Sequence, residues 1–367
     1  MKIGILTFHY AHNYGAVLQA YALSTFLIKK GYDAQIIDYR LPYIYNQYLP
    51  LDFPYFYHQY KENNGIVLSF LKACNYYRTH RHRGKQWKRF TFFQKKILPH
   101  TKQVFTFHDI ERLGIDVFVF GSDQIWNNRL TQHLEGIYFG EGFADGKRKV
   151  SYASSNGMDK VEEDIASHFK SLLKNFDAIS VREQGLSSYL KSEGIENECV
   201  LDPIFLLDKK EWTDVSSKVL EQNYLLTYSF SEDPTFFESV LTFARSYGLK
   251  VVSILFAHRS DIDEEIIQIT DAGPKEFLGY FKNASFVITN SFHGTAFSVL
   301  FEQQFFCVPP QKGRERIDSL LESLGLTNRI QSGRFVGDET IDYAKVRGKL
   351  DKQREKSWQF LYKNLKP

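Results

Sequence analysis

The sequence predicts an α/β protein with two halves, each built on a parallel β-sheet, and an aromatic-rich insertion in the first half. The first 38 residues contain a strand pattern, a helix pattern and a second strand pattern in that order. A second series of alternating strand and helix patterns begins after residue 207, and within the first half residues 41–108 are crowded with Tyr, Phe, His, Lys and Arg. Strands that alternate with helices are typical of parallel sheets.

The first half begins with a strand over residues 2–8 and a polar loop, "HYAHNYGA". Apolar side chains then recur at helical spacing until Gly31 ends the helix, and the strand "AQIID" completes the unit. The insertion over 41–108 is expected to contain some helix and to lie over the sheet or its crevice. Strand patterns resume as "DVFVF", "VSYAS" and "AISVR", and a helix over 183–191 follows the last of them.

The second half follows a linker, "LDPIFLLDKKEW", and again alternates strands with helices. Its strands are predicted at 224–230, 250–255, 285–289 and 305–308, and its helices at 235–247, 274–282 and about 295–302. We therefore predict an N-terminal domain over 1–207 and a C-terminal domain over 208–340. A terminal helix within 341–367 should pack on or near their junction. A cleft between two such domains is where small ligands usually bind.

Composition excludes several classes of protein. Apolar residues make up 43% of the 367 and charged residues 24%, which excludes global disorder and favours two domains over one. The 46 basic and 43 acidic side chains leave a net charge of only +3, too little to argue for nucleic-acid binding. Cys74, Cys199 and Cys307 form no CxxC pair, so neither a disulfide framework nor a metal site is predicted.

The chain shows no targeting or membrane-spanning pattern. The apolar run at the N-terminus is short and fits a first strand better than a signal peptide. No later segment reaches the roughly 18 to 20 continuous apolar residues of a membrane span. The expected location is the cytoplasm.

The stretch "FVITNSFHGTAFSVLF", residues 286–301, is the first candidate site. Open α/β sheets bind ligands at the carboxyl ends of strands, and a helix N-terminus favours anions. Asn290 or Ser291 is placed to cap the following helix, Gly294 and Thr295 lie in its first turn, and His293 is a titratable group beside it. The alternative is that the two polar residues are only caps and His293 is a packed core histidine.

Two further strands of the first half end in polar residues. Asp123 follows the strand in "DVFVFGSDQIWN", where a carboxylate can accept a hydrogen bond from a sugar hydroxyl or act as a base, or can simply cap the next helix. Arg182 follows the strand in "AISVREQGLSSYL", where a guanidinium can hold a carboxylate or phosphate, or can pair with a surface acid.

Two loops complete the candidates. "HYAHNYGAVLQ" places Asn13, Tyr14 and Gly15 after the first strand, where they either line the cleft or make the turn. "PPQKGRERIDSLL" places a basic cluster after a strand of the second half, either facing the same cleft or forming a solvated face: Lys312, Arg314 and Arg316.

Taken together, these stretches resemble the polysaccharide pyruvyl transferase family. The resemblance rests on "GILTFHYAHNYGAVLQAYAL", "FVFGSDQIWN", "SYASSNG", "ISVRE", "LDPIFLL" and "ASFVITNSFHGTAFSVLF", which occur in this order over nearly the full length. It implies two Rossmann-like domains in a GT-B-like arrangement with the active site between them. It also implies phosphoenolpyruvate as the donor, with a pyruvate ketal on a sugar of a cell-surface polysaccharide precursor as the product.

The resemblance assigns roles to individual residues. His293 matches the family's active-site histidine, Arg182 its donor-binding arginine, and Asp123 the acidic residue of the strand-end loop. Many members carry Arg-Leu-His where this chain has Ser291, Phe292 and His293, so a donor-binding cation is missing, and the basic cluster near 314 is the expected replacement. We assign donor binding also to Ser291, Gly294 and Thr295, and the acceptor or cleft wall to Asn13, Tyr14, Gly15, Gln124, Trp126 and Asn290.

The implied reaction needs an acid and a base but neither a metal nor another cofactor. His293 is the expected acid or base, and Asp123 is expected to orient or deprotonate the acceptor hydroxyl. The aromatic and basic insertion suggests a lipid-linked oligosaccharide acceptor and peripheral contact with the inner membrane face. Two alternatives stay open: a nucleotide-sugar glycosyltransferase of the same architecture, and a non-catalytic protein that binds glycans or anions.

Overall fold

Two parallel sheets organise the chain. In the computed structural model the described residues are 1–45, 65–80, 83–143, 146–231, 233–308, 310, 313–331, 335–336 and 340–366. The first sheet has six strands in the order β2-β1-β3-β4-β5-β6, and all neighbours are parallel. These strands are β1 Lys2–Leu6, β2 Asp33–Ile36, β3 Val117–Phe120, β4 Arg148–Ser154, β5 Ala178–Val181 and β6 Glu198–Cys199.

The second sheet has five parallel strands in the order β11-β10-β7-β8-β9. They are β7 Tyr224–Tyr228, β8 Lys250–Ile254, β9 Ile267–Ile269, β10 Phe286–Thr289 and β11 Phe305–Cys307. The nine predicted strands are confirmed. β6 and β9 were not predicted, because their side chains are exposed or only half-buried and form no buried apolar run. The domain boundary predicted at residue 207 falls between the two sheets.

Helices connect the strands of both sheets. Those of the first half are Tyr14–Lys29, Pro42–Tyr45, Ile66–His80, Arg83–Lys96, Phe107–Glu111, Glu163–Leu173 and Gln184–Ser192. Those of the second half are Lys209–Val215, Pro234–Ser246, Pro274–Asn283, Phe292–Leu300 and Glu315–Leu324, and the chain ends in Tyr343–Asn364. Short 3-10 turns span Gly136–Phe139, Pro203–Leu206 and Thr327–Arg329.

One apolar cluster runs through both halves. Tyr14, at the start of the first helix, stacks on Phe277 of the second half with ring centroids 4.3 Å apart, and its hydroxyl donates to the carbonyl oxygen of Ala272 at 2.9 Å. The inserted helix Arg83–Lys96 reinforces this contact, because Arg89 lies 3.2 Å from a carboxylate oxygen of Asp271. Packing on both sides of the junction fixes the spacing of the two sheets.

The terminal helix contacts the first half and the junction. Trp358 packs edge-on against Phe26 at 5.5 Å, and the Ser357 hydroxyl oxygen accepts from the backbone N–H of Leu201 at 3.0 Å. Arg354 donates to the carbonyl oxygen of Leu207 at 3.2 Å. The helix therefore packs onto the segment that joins the two halves.

Candidate functional site

A cleft of about 500 Å³ lies between the two halves. From the first half, the loops after β1 and β3 line the cleft. From the second half, the loop after β10 and the segment before the helix Glu315–Leu324 line it. The polar side chains on its walls include Asn13, Asp123, Gln124, Asn290, Ser291, His293 and Arg316. Strand ends from both sheets therefore meet at one cavity, as the parallel topology predicts.

His293 reaches this cleft because the helix behind it starts early. Ser291 caps the helix by accepting from the N–H of Gly294 at 3.4 Å, so the helix begins at Phe292 and not near 295 as predicted. The imidazole then crosses the junction and packs on Gly15 at the start of the first helix. A Cβ atom on Gly15 would lie 2.1 Å from Cε1 of His293, which explains why only glycine fits there.

The environment of His293 holds its imidazole neutral. The pKa of His293 is lowered to about 4, chiefly by burial; Asp202 and Asp123 raise this pKa, while Arg182 and Arg316 add to its lowering. Its Nε2 lies 4.0 Å from Oδ2 of Asp202 and has no hydrogen-bond partner within the described part of the chain. A neutral imidazole with a free nitrogen can accept a proton or bind a polar ligand.

Arg182 is fixed by two buried carboxylates. Its Nη1 donates to Asp202 at 2.7 Å and its Nε to Glu183 at 3.1 Å, and the guanidinium lies 5.2 Å from the ring centroid of Phe292. Its Nη2 is buried without a partner among the described residues. The predicted donor-binding arginine therefore presents one nitrogen from a rigid support, close to His293 through their shared neighbour Asp202.

Arg316 brings a second guanidinium to the same place. It lies 5.8 Å from the ring centroid of Phe292, lines the cleft, and its Nε is buried without a partner among the described residues. Burial, and then the positive charge of Arg182, lower the pKa of Arg316. Two like charges thus lie near the same Phe292 ring, and an anionic ligand would relieve their repulsion.

Asp123 sits at the turn that ends β3. Gly121 makes this turn possible, since it has φ of +116° and a Cβ there would lie 2.3 Å from the Tyr152 carbonyl oxygen. The Asp123 carboxylate accepts from the N–H of Gln124 at 2.8 Å and faces the cleft. Asp123 therefore bonds within a turn and does not cap a helix, since turns follow it, and its role toward a sugar hydroxyl or as a base stays a prediction.

Asn13 and Asn290 support the cleft wall through their own hydrogen bonds. Asn13 caps the first helix by accepting from the N–H of Gly15 at 2.9 Å. Asn290 accepts from the N–H of Phe230 at 2.9 Å, which leaves the capping role to Ser291. Both side chains line the cleft.

Two residues predicted in the cleft belong to the core. Trp126 is 1% exposed and stacks on Phe139 with ring centroids 5.4 Å apart. Its indole N–H donates to the carbonyl oxygen of Tyr138 at 3.1 Å, so both the ring and the N–H have partners in the core. Tyr14 is fully buried in the contact with Phe277 described above. We correct both assignments: these side chains stabilise the junction and the loop and do not line the cavity.

Three predicted donor-binding residues are also corrected. The Gly294 N–H is taken by the Ser291 cap, and the Thr295 hydroxyl is fully buried and donates to the carbonyl oxygen of Ser291 at 3.0 Å. Arg314 is exposed and pairs with Asp318 at 2.7 Å, one helical turn away. Lys312 lies outside the described residues.

Asp202, which joins Arg182 and His293, was not among the predicted site residues. It is 2% exposed, and its second oxygen accepts from the N–H of Ile204 at 3.1 Å. It stands in "LDPIFLL", a stretch that we interpreted as a linker although it belongs to the family resemblance. A polar residue before proline inside an apolar run was the available signal.

Neither a metal site nor a membrane-spanning helix is found in the described residues. No group of three or more His, Cys, Asp or Glu side chains in the described ranges is placed to hold a metal ion. Within those same ranges, no helix is both long and apolar enough to span a membrane.

Comparisons with known proteins agree with the sequence and the fold. The family described as polysaccharide pyruvyl transferase matches residues 13–312. The UDP-GlcNAc 2-epimerase from Methanocaldococcus jannaschii is similar in structure, with a TM-score of 0.51 at 13% identity over 96% of this chain and 92% of that chain. A putative UDP-N-acetylglucosamine 2-epimerase from Listeria monocytogenes gives 0.52 at 10% identity over 98% and 90%. No curated protein sequence matches.

These likenesses establish the fold as two-domain α/β of the GT-B-like type. At such low identity they carry no information about the substrate. The predictions of fold class and of family are confirmed.

Replacing His293 with Gln should flatten the dependence of stability on pH. Because the pKa of His293 in the fold is lowered to about 4 from about 6.5 in unfolded chains, the unfolded state binds more protons between these values, and stability falls as the pH drops. When the pH drops from 7 to 5.5, the free energy of unfolding measured in urea should fall by about 1 kcal/mol more for the wild type than for His293→Gln. Equal losses would contradict a buried neutral imidazole.

Proposed function

The chain belongs to the polysaccharide pyruvyl transferase family, and we propose that it transfers the pyruvyl group of phosphoenolpyruvate to a sugar as a cyclic ketal. One observation supports this most strongly. Arg182 follows a strand of the first half and His293 follows a strand of the second half, and both side chains lie within 4.0 Å of Asp202. A binding site divided between two domains suits a reaction that joins two substrates.

The donor requires a cationic pocket, since its carboxylate and phosphate carry about three negative charges near neutral pH. This chain offers Arg316 on the cleft wall and the unpartnered nitrogen of Arg182. Arg316 is the proposed replacement for the arginine that many family members carry at the position of Ser291. The buried acids Glu183 and Asp202 hold Arg182 in place and offset part of its charge.

The reaction converts two hydroxyl groups and one enol phosphate into a ketal and inorganic phosphate. A proton from one hydroxyl ends on the methylene carbon, which becomes a methyl group, and the other proton leaves with the phosphate. The two hydroxyl oxygens form bonds to the central carbon, and the bond from that carbon to the phosphate oxygen breaks with its electron pair. No redox step is required.

His293 is the proposed base for the acceptor hydroxyl. It is neutral in the ligand-free protein, with its pKa lowered to about 4 by burial, and a bound trianion would raise that pKa and favour proton uptake. Burial makes the imidazolium unfavourable, so the proton should pass on quickly to the donor. Asp123, which faces the same cleft, is proposed to orient the acceptor hydroxyl.

A thermal-shift comparison followed by a phosphate-release assay tests this function. We expect phosphoenolpyruvate to stabilise the protein and nucleotide sugars to have no effect, and a galactoside panel to give phosphate release. Stabilisation by a nucleotide sugar without any response to phosphoenolpyruvate would indicate a glycosyltransferase or epimerase instead. Binding of phosphoenolpyruvate without turnover on any glycan would favour a non-catalytic binding protein.

Arg316→Gln and Arg314→Gln form a matched pair that tests the donor pocket. Both arginines lie in one short segment, but only Arg316 lines the cleft, while Arg314 pairs with Asp318 in solvent. Loss of one charge-assisted hydrogen bond should weaken phosphoenolpyruvate binding roughly tenfold or more in Arg316→Gln, with Arg314→Gln unchanged. Titration calorimetry measures both, and equal affinities would remove Arg316 from the donor site.

We further propose that the acceptor is lipid-linked and that the insertion docks the protein on an anionic membrane surface. Residues 65–96 contain nine Lys and Arg and no Asp or Glu. The helix Ile66–His80 exposes apolar side chains in its first turns: Val67 is 74% exposed, Ile66 61% and Leu71 58%, while Ser69 is buried. At 100° per residue Val67 and Leu71 lie on the side of the helix opposite Ser69, which suits insertion between lipid headgroups.

Vesicle co-sedimentation tests this contact. The double variant Val67→Glu with Leu71→Glu should lose binding to vesicles rich in phosphatidylglycerol, and the wild type should bind them better at low salt than at high salt. Leu220→Glu is the control, since Leu220 is 94% exposed but lies in another part of the chain. Equal binding of the double variant, or wild-type self-association through this helix in place of vesicle binding, would contradict the proposal.

A further inference from the structure

A second cavity of about 210 Å³ lies behind the cleft. The two cavities share two lining residues, Phe292 and Arg316, which therefore form the wall between them. Besides Phe292, the lining of the second cavity comes from the end of β5, the segment from Cys199 to Phe205, the helix Glu315–Leu324 and the terminal helix Tyr343–Asn364. Arg182 lines this cavity and not the larger cleft.

The side chains around this cavity carry an excess of positive charge. Arg182, Arg316 and Lys356 line it, and the one carboxylate in its wall belongs to Asp202, which already pairs with Arg182. Glu183 lies behind Arg182 and reduces the excess without lining the cavity. The uncharged polar groups of the wall are hydroxyls, amides and a thiol: Ser319, Ser323, Ser357, Gln184, Gln353 and Cys199.

Two of these cations have a buried nitrogen that donates no hydrogen bond within the described residues. Arg182 is 7% exposed, and its Nη2 has no hydrogen-bond partner within the described residues, as is also true of Nε of Arg316. A buried guanidinium nitrogen without a partner is costly, and such groups in folded proteins usually have a ligand, ion or water to bind. Both unpartnered nitrogens belong to residues that line the same small cavity.

We propose that this cavity binds a phosphate group. A tetrahedral dianion fits a space of this volume, matches the charge of its walls, and can accept hydrogen bonds from the two guanidinium nitrogens and from the Ser319 hydroxyl. Because Phe292 and Arg316 line both cavities, a phosphate bound here would lie next to the cleft where the glycan would bind.

The connection to catalysis rests on the proposed function. In pyruvyl transfer, phosphate leaves with the electron pair of its bond to the central carbon and takes one hydroxyl proton. The cavity would hold the phosphoryl group of the donor before this step, or the inorganic phosphate after it. In either case His293, on the cleft side of the wall, remains next to the acceptor hydroxyls.

Ser319→Asp and Ser319→Asn form a matched pair that tests the cavity. Ser319 lines it, does not line the cleft, and stands on the helix Glu315–Leu324. The aspartate adds a negative charge at nearly the same shape as the asparagine. Titration calorimetry of the full chain with inorganic phosphate alone, and separately with phosphoenolpyruvate, measures the effect.

Lys356→Gln is a second test, with Lys352→Gln on the same helix as its control.

We expect Ser319→Asp to weaken inorganic phosphate binding at least tenfold relative to Ser319→Asn, and Lys356→Gln to weaken it relative to Lys352→Gln. A parallel loss for phosphoenolpyruvate identifies the ligand as the donor's own phosphoryl group; a loss for inorganic phosphate alone identifies it as the released product. Equal phosphate affinity across each pair, or no phosphate binding by the wild type, would overturn the proposal. Phosphate binding without any pyruvyl transfer would instead refute only the proposed function.

Discussion

The contact between His293 and Gly15 is the constraint on which the rest of the site depends. An imidazole from the second half occupies the space that a side chain at the start of the first helix would otherwise fill. This fixes the distance between the two sheets at the point where their strand ends face each other. Tyr14 on one side and the inserted helix on the other stabilise the same junction, so the imidazole is held in place before any ligand arrives.

The charges around this contact explain its chemical state. Asp202 lies between a guanidinium at 2.7 Å and an imidazole at 4.0 Å, and it is the closer arginine that takes its hydrogen bond. Burial keeps the imidazole neutral, and the positive charge of the site resides on Arg182 and Arg316, which both lie near the Phe292 ring. A neutral proton acceptor next to two cations suits a reaction between a hydroxyl group and a multiply charged anion.

The sequence predicted the elements of this fold better than their contacts. The sequence pattern located nine of the strands because each contains a buried apolar run, whereas the side chains of β6 and β9 are exposed or only half-buried. The family resemblance located His293, Arg182 and Asp123. It could not show that Trp126 and Tyr14 pack inward, or that Asp202 joins two distant residues, because these outcomes depend on how the halves pack and not on local spacing. The exposed Arg314 and the cleft-lining Arg316, two residues apart, illustrate the same limit: a charge cluster in sequence does not specify which member faces the cleft.

Steady-state phosphate release by His293→Ala, measured with phosphoenolpyruvate and an active glycan acceptor, tests the central claim most directly. If the imidazole takes the acceptor proton, turnover should fall by roughly 10² or more, while the affinity for phosphoenolpyruvate, measured separately, should remain close to that of the wild type. Turnover within a few-fold of the wild type would show that His293 only fills the space above Gly15 and takes no part in proton transfer.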